Sequence, residues 1–452
     1  MITSNIFKGK KILILGLGIT GTNLYKALTA SKAKVYTWDD NNKILSNIQK
    51  NINLKNFKFN QLDYCIPSPG ISTVGLNAHP LITLLKKNCV KIISELDLFQ
   101  IYLNSSINYL NGSIKVIATT GTNGKSTVVS IINHVLQKLN YDTSLIGNIG
   151  KSIFQSRVLK KGFYIIEASS YQLETTSIFK PNISILTNIS EDHILRHKTL
   201  NNYVKQKFKI FQNLSDNDSA IISNDHYITK KLINKISNKK RFNLIKVSGK
   251  NKKSTFYYDD LSIYKNNKFI YKSSNPNLYG SHNLENISLV VAFLSEIDRL
   301  DDKSLKAINS FKGLSHRQEI LRKINKTTFI NDSKATNIDS SIPALKSFKN
   351  IHWICGGIPK SDDMKSALPY LKNVKKIYVI GLEKDIFFAA FERYIEVVYL
   401  RDMKKAVQSA FSNSKKEKKI STVLLSPAAA SFDQYRNFET RGNAFKKCIM
   451  NL

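Results

Sequence analysis

The chain has 452 residues, too many for one ordinary hydrophobic core, so two to four domains are expected. Hydrophobic residues make up 42% of it, enough for packed globular domains, and no apolar run reaches the roughly eighteen residues that a membrane span needs. The formal net charge of +35 admits a nucleic-acid binder. Yet lysines are dispersed, as in Lys250-Asn251-Lys252-Lys253 and Lys415-Lys416-Glu417-Lys418-Lys419, with no single arm and no regular interleaving with aromatics. The charge therefore reads as compositional drift, with a positive field that would also suit phosphate-bearing substrates.

The N-terminus, with only the short apolar run Ile12-Leu13-Ile14-Leu15 before glycines, reads as the start of a folded domain rather than a signal peptide, and a cytoplasmic protein is expected. Cys65, Cys89, Cys355 and Cys448 lack metal-ligand spacing and read as reduced thiols. A strand over Lys11 to Leu15 leads into Gly16-Leu17-Gly18-Ile19-Thr20-Gly21 and a helix. A second strand over Val35 to Trp38 ends in Asp39-Asp40. This is a βαβ unit of the nucleotide-binding kind. A dinucleotide-binding oxidoreductase, with Asp39 on the ribose, is one reading of it.

A second block opens with a strand over Ile114 to Ala118, followed by Gly121-Thr122-Asn123-Gly124-Lys125-Ser126-Thr127. Glycines in such a turn let backbone N–H groups face a polyphosphate, and the following helix start adds a favourable dipole. Lys125 is placed to meet the terminal phosphates and Ser126 to reach Mg²⁺. Thr119 stands where the general phosphate-loop pattern has its first glycine. Strands are predicted over Phe163 to Glu167, Ile183 to Thr187 and Ala220 to Ile222. Glu167 and His193 follow successive strand ends, positions that suit a metal beside a phosphate loop. The polar, Tyr-rich stretch from Asn251 to Ser274 predicts a small antiparallel excursion, and a helix is expected from about Leu284 to Leu294.

A third block starts near Phe311, with strands over Thr328 to Ile330, Ile351 to Ile354, Ile377 to Ile380, Glu396 to Leu400 and Thr422 to Leu425. Strand–helix alternation predicts an α/β protein with largely parallel sheets.

In order and spacing, the segments Gly121 to Thr127, Glu167 to Glu174, Thr187 to His193, Gly280 to Asn286, His316-Arg317 and Asn331 to Asn337 resemble the Mur ligases. The resemblance covers essentially the whole chain. It implies three domains: a Rossmann-like UDP-substrate domain (1–103), a central P-loop ATPase-like domain (104–313) and a C-terminal Rossmann-like amino-acid domain (314–452). The Gly-Leu-Gly loop with Ser68-Pro69-Gly70-Ile71, and the long segment Leu425 to Phe438 followed by Arg441-Gly442, point to the D-glutamate-adding branch. The implied substrates are ATP, UDP-N-acetylmuramoyl-L-alanine and D-glutamate, joined through an acyl phosphate by a monomer that binds no specific nucleic acid.

By the same resemblance, Gly18, Ile19, Thr20, Asp39, Asp40, Ser68 and Gly70 would hold UDP rather than a dinucleotide. Asn148, Ser169 and Lys334 would lie around the acyl phosphate. Gly121 to Thr127, with Asn283, Asn286, Arg317 and Asp332, would face ATP. Ser126, Glu167, His193 and Lys207, the last carrying a CO₂-derived carbamate, would bind Mg²⁺. Lys125, Lys207, His193 and Lys334 would be catalytic, and Thr336, Lys360, Ser431, Phe432 and Phe438 would take D-glutamate. The resemblance also implies closure of the C-terminal domain during the reaction. Two departures stand out: Pro359 beside Lys360, where many relatives have an acidic residue or glycine, and Tyr171 in place of a frequent Phe. Two other readings remain, a folylpolyglutamate synthetase-like ligase and a basic P-loop protein that binds nucleic acid without ligase activity.

Overall fold

The computed structural model describes all residues except 42–51, 53–55, 76–77, 238–241, 279 and 360–363. Among the described residues the strands form three sheets. The first has order β2-β1-β3, from β1 (Lys11–Leu15), β2 (Lys34–Trp38) and β3 (Tyr64–Pro67), all parallel. Apolar β1 is buried along Ile12–Leu15, as a central parallel strand covered on both faces requires.

The second sheet contains β4 (Ile114–Thr120), β5 (Thr143–Gly147), β6 (Gly162–Glu167), β7 (Ile183–Leu186), β8 (Ser219–Ser223), β9 (Asn243–Ser248), β10 (Phe256–Asp259), β11 (Ser262–Lys265) and β12 (Lys268–Lys272). Its order is β12-β11-β10-β9-β8-β7-β4-β6-β5. Pairing is parallel from β5 to β10 and antiparallel from β10 to β12, as the sequence predicts for the Tyr-rich stretch. The third sheet has order β13-β14-β18-β15-β16-β17, from β13 (Glu319–Ile324), β14 (Thr327–Asn331), β15 (Ile351–Gly356), β16 (Val374–Ile380), β17 (Val397–Arg401) and β18 (Ser421–Leu425). Only its edge strand β13 runs antiparallel.

The chain packs as two compact units. One holds the first two sheets (Met1–Ser273 and Glu285–Asn309); the other holds the third (Ser274–Leu284 and Ser310–Leu452). Within the first unit, Ile14, Leu24 and Leu28 share a core with Val116, Ile166 and Phe179. Asp97 adds a polar tie: its buried carboxylate accepts backbone N–H groups of Ser177 (2.9 Å), Ile178 (3.0 Å) and Phe179 (3.0 Å). Burial nevertheless dominates and raises its pKa against those donors. No described helix is long and apolar enough to cross a membrane. The four cysteines are free, with Cys65 and Cys355 buried.

In the second unit, His352 on β15 is buried. Its Nδ1 lies 3.0 Å from the Tyr378 hydroxyl, and its Nε2 has no partner among the described residues. Burial pushes its pKa down to about 4, as it does for His282. Both values lie below the ordinary value of an unfolded His, so the unfolded chain takes up protons first. This stability is present above about pH 6.5 and is lost as the pH falls toward 4. His352 alone should therefore cost the fold about 2 kcal/mol between pH 7 and pH 5. Urea denaturation at both pH values should give a lower midpoint at pH 5, and His352→Phe should narrow the gap.

Candidate active site

The phosphate turn is built from three sides. β4 ends at Thr120, and the helix Lys125–Lys138 begins immediately after Gly124. Gly124 has φ +84°, a conformation that L side chains rarely adopt, and a Cβ there would lie 2.3 Å from Asn286 Oδ1 and displace that side chain. The backbone carbonyls of the turn point inward onto side-chain donors. Lys207 Nζ donates to the Gly121 carbonyl (2.7 Å), Lys125 Nζ to that of Thr122 (2.8 Å), and Asn188 Nδ2 to that of Asn123 (3.1 Å), which also accepts the Thr187 hydroxyl. Asn188 further accepts the N–H groups of Thr122 and Asn123. The turn then delivers the first turn of the helix, with Lys125, Ser126 and Thr127, whose amides have no acceptor within the helix.

Lys207 is only 2% exposed, on the helix Leu200–Phe208, with its amine 4.6 Å from the ring centre of Tyr203 one helical turn earlier. Burial first, and then the Lys125 charge, hold its pKa well below the ordinary lysine range; Asp192 and Glu167 pull the other way without prevailing. The amine is thus biased toward its neutral form. Glu167, at the end of β6, is buried. Its Oε1 accepts Asn148 Nδ2 (2.9 Å), while Oε2 has no partner among the described residues. A buried carboxylate oxygen left in this way fits an oxygen-seeking cation. His193 has φ +56°; its Nδ1 meets the Tyr171 hydroxyl (2.9 Å), and its Nε2 lies 3.4 Å from the Asp192 carboxylate. Among the described residues, no group of three or more His, Cys, Asp or Glu side chains is set to hold a metal.

Ser169 caps the helix Ser170–Glu174 in a capping box with Gln172. That helix carries Glu174, which binds the first sheet's loop through Thr73 N (3.0 Å) and through Arg196 Nε (3.0 Å). Arg196 in turn donates to the carbonyls of Gly70 (3.1 Å) and Ile71. Burial raises the Glu174 pKa, but Arg196 and Thr73 outweigh it and the net shift is downward. Above this loop, Gly21 passes so close to the turn that a Cβ would lie 2.0 Å from the Gly16 carbonyl. Ser68 Oγ donates to that same carbonyl (2.6 Å). Asp39 accepts the Leu17 N–H (2.6 Å), and Asp40 meets His79 Nε2 (3.0 Å), which lowers its pKa. Gly18, Thr20 and the 83%-exposed Ile19 stand at the same strand ends.

In the second unit, Asp332 follows β14, buried, and accepts the Ser426 hydroxyl (2.8 Å) and the Gln318 N–H (3.2 Å); burial pushes its pKa up to about 7. Lys334 Nζ lies 3.8 Å from the ring centre of Phe438, the first residue of the helix Phe438–Met450. Ser431 is buried, Thr336 half-buried and Phe432 72% exposed, while Lys360 lies outside the described residues. Arg317 and Asn283 also belong to this unit.

Sequence reasoning passed over several partners in these sites. The Tyr203–Lys207 pair was signalled by its four-residue spacing on a helix. Arg196–Glu174 had no local signal; Arg441 was singled out as part of a motif, but not the contacts its buried guanidinium makes, to the carbonyls of Ser333 (2.9 Å) and Ala429 (3.0 Å).

Residues 119–294 match the Mur ligase middle domain. A UDP-N-acetylmuramoylalanine–D-glutamate ligase from Rickettsia felis is 33% identical over 450 residues, covering 97% of this chain and 96% of that protein. The chain belongs to the Mur ligase family. The enzyme of the same description from Rhizobium etli is 32% identical, covering 100% of this chain and 97% of its own length. Among solved Mur ligases, the MurF ligase of Thermotoga maritima in complex with ADP has a TM-score of 0.62 at 14% identity, over 100% of this chain and 97% of its own. The UDP-N-acetylmuramate–alanine ligase of the same organism has a TM-score of 0.60 at 17% identity, over 98% and 99%. At these identities the likeness is one of fold.

For this Mur ligase the Glu174–Arg196 pair gives a direct test. Both side chains are largely withdrawn from water, so removing one partner strands the other. Glu174→Ala should cost about 3 kcal/mol of stability. In a double-mutant cycle read by denaturation, Glu174→Ala with Arg196→Ala should cost clearly less than the sum of the single changes.

Proposed function

We propose that this Mur ligase joins D-glutamate to UDP-N-acetylmuramoyl-L-alanine at the cost of ATP, forming ADP and phosphate. The observation that carries the substrate choice is the extent of the likeness to the D-glutamate ligases, which runs through the first sheet as well as the phosphate turn and the third sheet. In this reading residues 1–103 hold the UDP substrate, 104–313 the nucleotide and 314–452 the amino acid. The alanyl carboxylate attacks the γ-phosphorus of ATP, the bond to the bridging oxygen breaks and ADP leaves. The amine of D-glutamate then adds to the acyl carbon, loses a proton and expels inorganic phosphate.

The residues singled out in the sequence take these parts in the reading. The first turn of the helix from Lys125, with its backbone dipole, and the Lys125 ammonium offset polyphosphate charge. Asn286 and Asn283, with Arg317 and Asp332, are assigned to the nucleotide. Gly18, Ile19, Thr20, Asp39, Asp40, Ser68 and Gly70 are assigned to the UDP group, and Asn148, Ser169 and Lys334 to the region of the acyl phosphate. Thr336, Lys360, Ser431, Phe432 and Phe438 are assigned to D-glutamate, whose carboxylates require a cation and hydroxyls while its amine stays available.

Ser126, Glu167, His193 and a carbamate on Lys207 would hold Mg²⁺, the fit resting on the partnerless Glu167 Oε2. Bound there, Mg²⁺ supplies neutralisation of phosphate charge. A neutral Lys207 amine can add CO₂ with loss of a proton, and the carbamate would contribute an anionic oxygen beside Glu167 and His193.

ADP release by the purified protein should require both UDP-N-acetylmuramoyl-L-alanine and an amino acid, with D-glutamate best. Turnover on a folate substrate with L-glutamate instead would overturn the assignment. Lys125→Ala should lose about 10²–10³-fold in kcat while keeping the wild-type circular dichroism spectrum. Lys207→Ala should be nearly inactive and should regain part of its activity when a short-chain carboxylate is added. In an active preparation equilibrated with ¹³C-bicarbonate, absence of a carbamate signal in the ¹³C NMR spectrum of the native protein would refute the carbamate.

A further inference from the structure

The strands β10, β11 and β12 form the antiparallel edge of the second sheet, away from the phosphate turn in the strand order. In the sequence these aromatics are scattered among polar residues; strand pairing brings them into one row. Tyr257 on β10 pairs with Tyr264 on β11, and Tyr264 pairs with Phe269 on β12, so three rings form one row across three strands. Their centroids are 6.1 Å and 6.0 Å apart. A bulge at Ile270 keeps Phe269 in this row while Tyr271 pairs with Ile263 on the opposite face. That opposite face is the buried one, holding Phe256, Tyr258, Ile263 and Tyr271. Phe269, in contrast, is 60% exposed, and Tyr257 and Tyr264 are half-buried.

Cations border the row. Lys252 Nζ lies 5.7 Å from the Tyr257 ring centre. Lys272, paired with Ser262, falls on the same face by alternation, as does Asp259, the one acidic side chain in that neighbouring row. Lys265 and Lys268, paired with each other, alternate to the opposite face with Phe256, so Lys252 and Lys272 are the cations placed beside the row. Edge lysines alone would be explained as guards against strand-to-strand aggregation, and cross-strand rings alone as sheet stabilisers. Neither explains an aromatic row that ends in an exposed Phe, bordered by Lys252 and Lys272, on a strongly basic chain.

We propose that this face binds single-stranded nucleic acid: a base stacks on the exposed Phe269 ring, against which Tyr264 stands edge-on, and Lys252 and Lys272 meet the backbone phosphates. Each requirement is one that sequence-tolerant single-strand binders meet, a π surface for the bases beside a positive track for the phosphates. The proposal is independent of the ligase reaction and leaves its residues untouched. A purely electrostatic surface would prefer the duplex, which carries the denser charge. A stacking surface prefers the single strand, because paired bases hide their faces.

The test is fluorescence anisotropy on the full chain, at two salt concentrations, with a labelled twelve-nucleotide oligo(U), a duplex of equal length and heparin. Phe269→Leu and Tyr264→Leu keep apolar bulk on the strands but remove the π faces. The expected result is tighter binding of oligo(U) than of duplex, a loss of about tenfold or more for oligo(U) in the double variant, unchanged heparin binding and an unchanged melting temperature. Phe269→Leu alone, at an exposed position, provides the same reading if the double variant melts early. Duplex bound as tightly as oligo(U), or variants that bind oligo(U) like the wild type, would overturn the proposal. So would retention on anionic phosphatidylglycerol vesicles with no oligo(U) binding.

Discussion

Three consecutive backbone carbonyls, those of Gly121, Thr122 and Asn123, each accept a side-chain donor, and the shape of the turn depends on that arrangement. A tight turn between a strand and a helix exposes polar backbone groups on both sides. Turning the carbonyls inward onto Lys207, Lys125, Asn188 and Thr187 leaves the helix start as the electropositive surface. Burying a lysine for this purpose is costly, because a charged amine loses its water. The cost is lowered by holding Lys207 toward its neutral form, and a neutral buried amine is the chemical species a carbamate needs. One constraint thus joins the shape of the turn to the reactivity of the lysine beneath it.

The same currency of buried polar groups ties the first sheet to the second. Asp97 gathers the backbone of Ser177 to Phe179, and Glu174 with Arg196 gathers the loop of Gly70, Ile71 and Thr73. The two carboxylates respond to burial differently. Asp97 meets neutral donors, and desolvation prevails; Glu174 meets a guanidinium, and charge attraction prevails. The loop that the Gly16–Gly21 turn packs against is therefore positioned by an ion pair formed by the second sheet's own helices, so the UDP-assigned and nucleotide-assigned ends of this unit share one support. In the second unit, Arg441 plays a comparable part. It holds Ser333 and Ala429, in the segments that follow β14 and β18, through their carbonyls.

Much of the fold was legible because periodicity and turn chemistry are local. The strand Lys11–Leu15, the glycine turn after it and the strand into Gly121–Thr127 announce themselves through apolar runs and glycines, and the antiparallel stretch near Asn251–Ser274 through short alternating runs of Tyr and polar residues. Shorter or more polar strands such as Tyr64–Pro67, Thr143–Gly147 and Glu319–Ile324 did not, since their strand character comes from pairing rather than from an apolar run. Glu167 and His193 were legible as candidates because each follows a strand end.

The sequence by itself determined the α/β class, the phosphate turn and the order of the chemical segments, because each rests on residues within a few positions of one another. Only the tertiary structure decided which groups lose their water and which faces meet. It buries Lys207 against Gly121, 86 positions away, leaves Glu167 Oε2 partnerless, and joins Arg196 to Glu174 and to the loop at Gly70. It also lines up Tyr257, Tyr264 and Phe269, whose common face depends on strand register and on one bulged residue. Desolvation and register are properties of neighbours in space, and a linear pattern does not contain them.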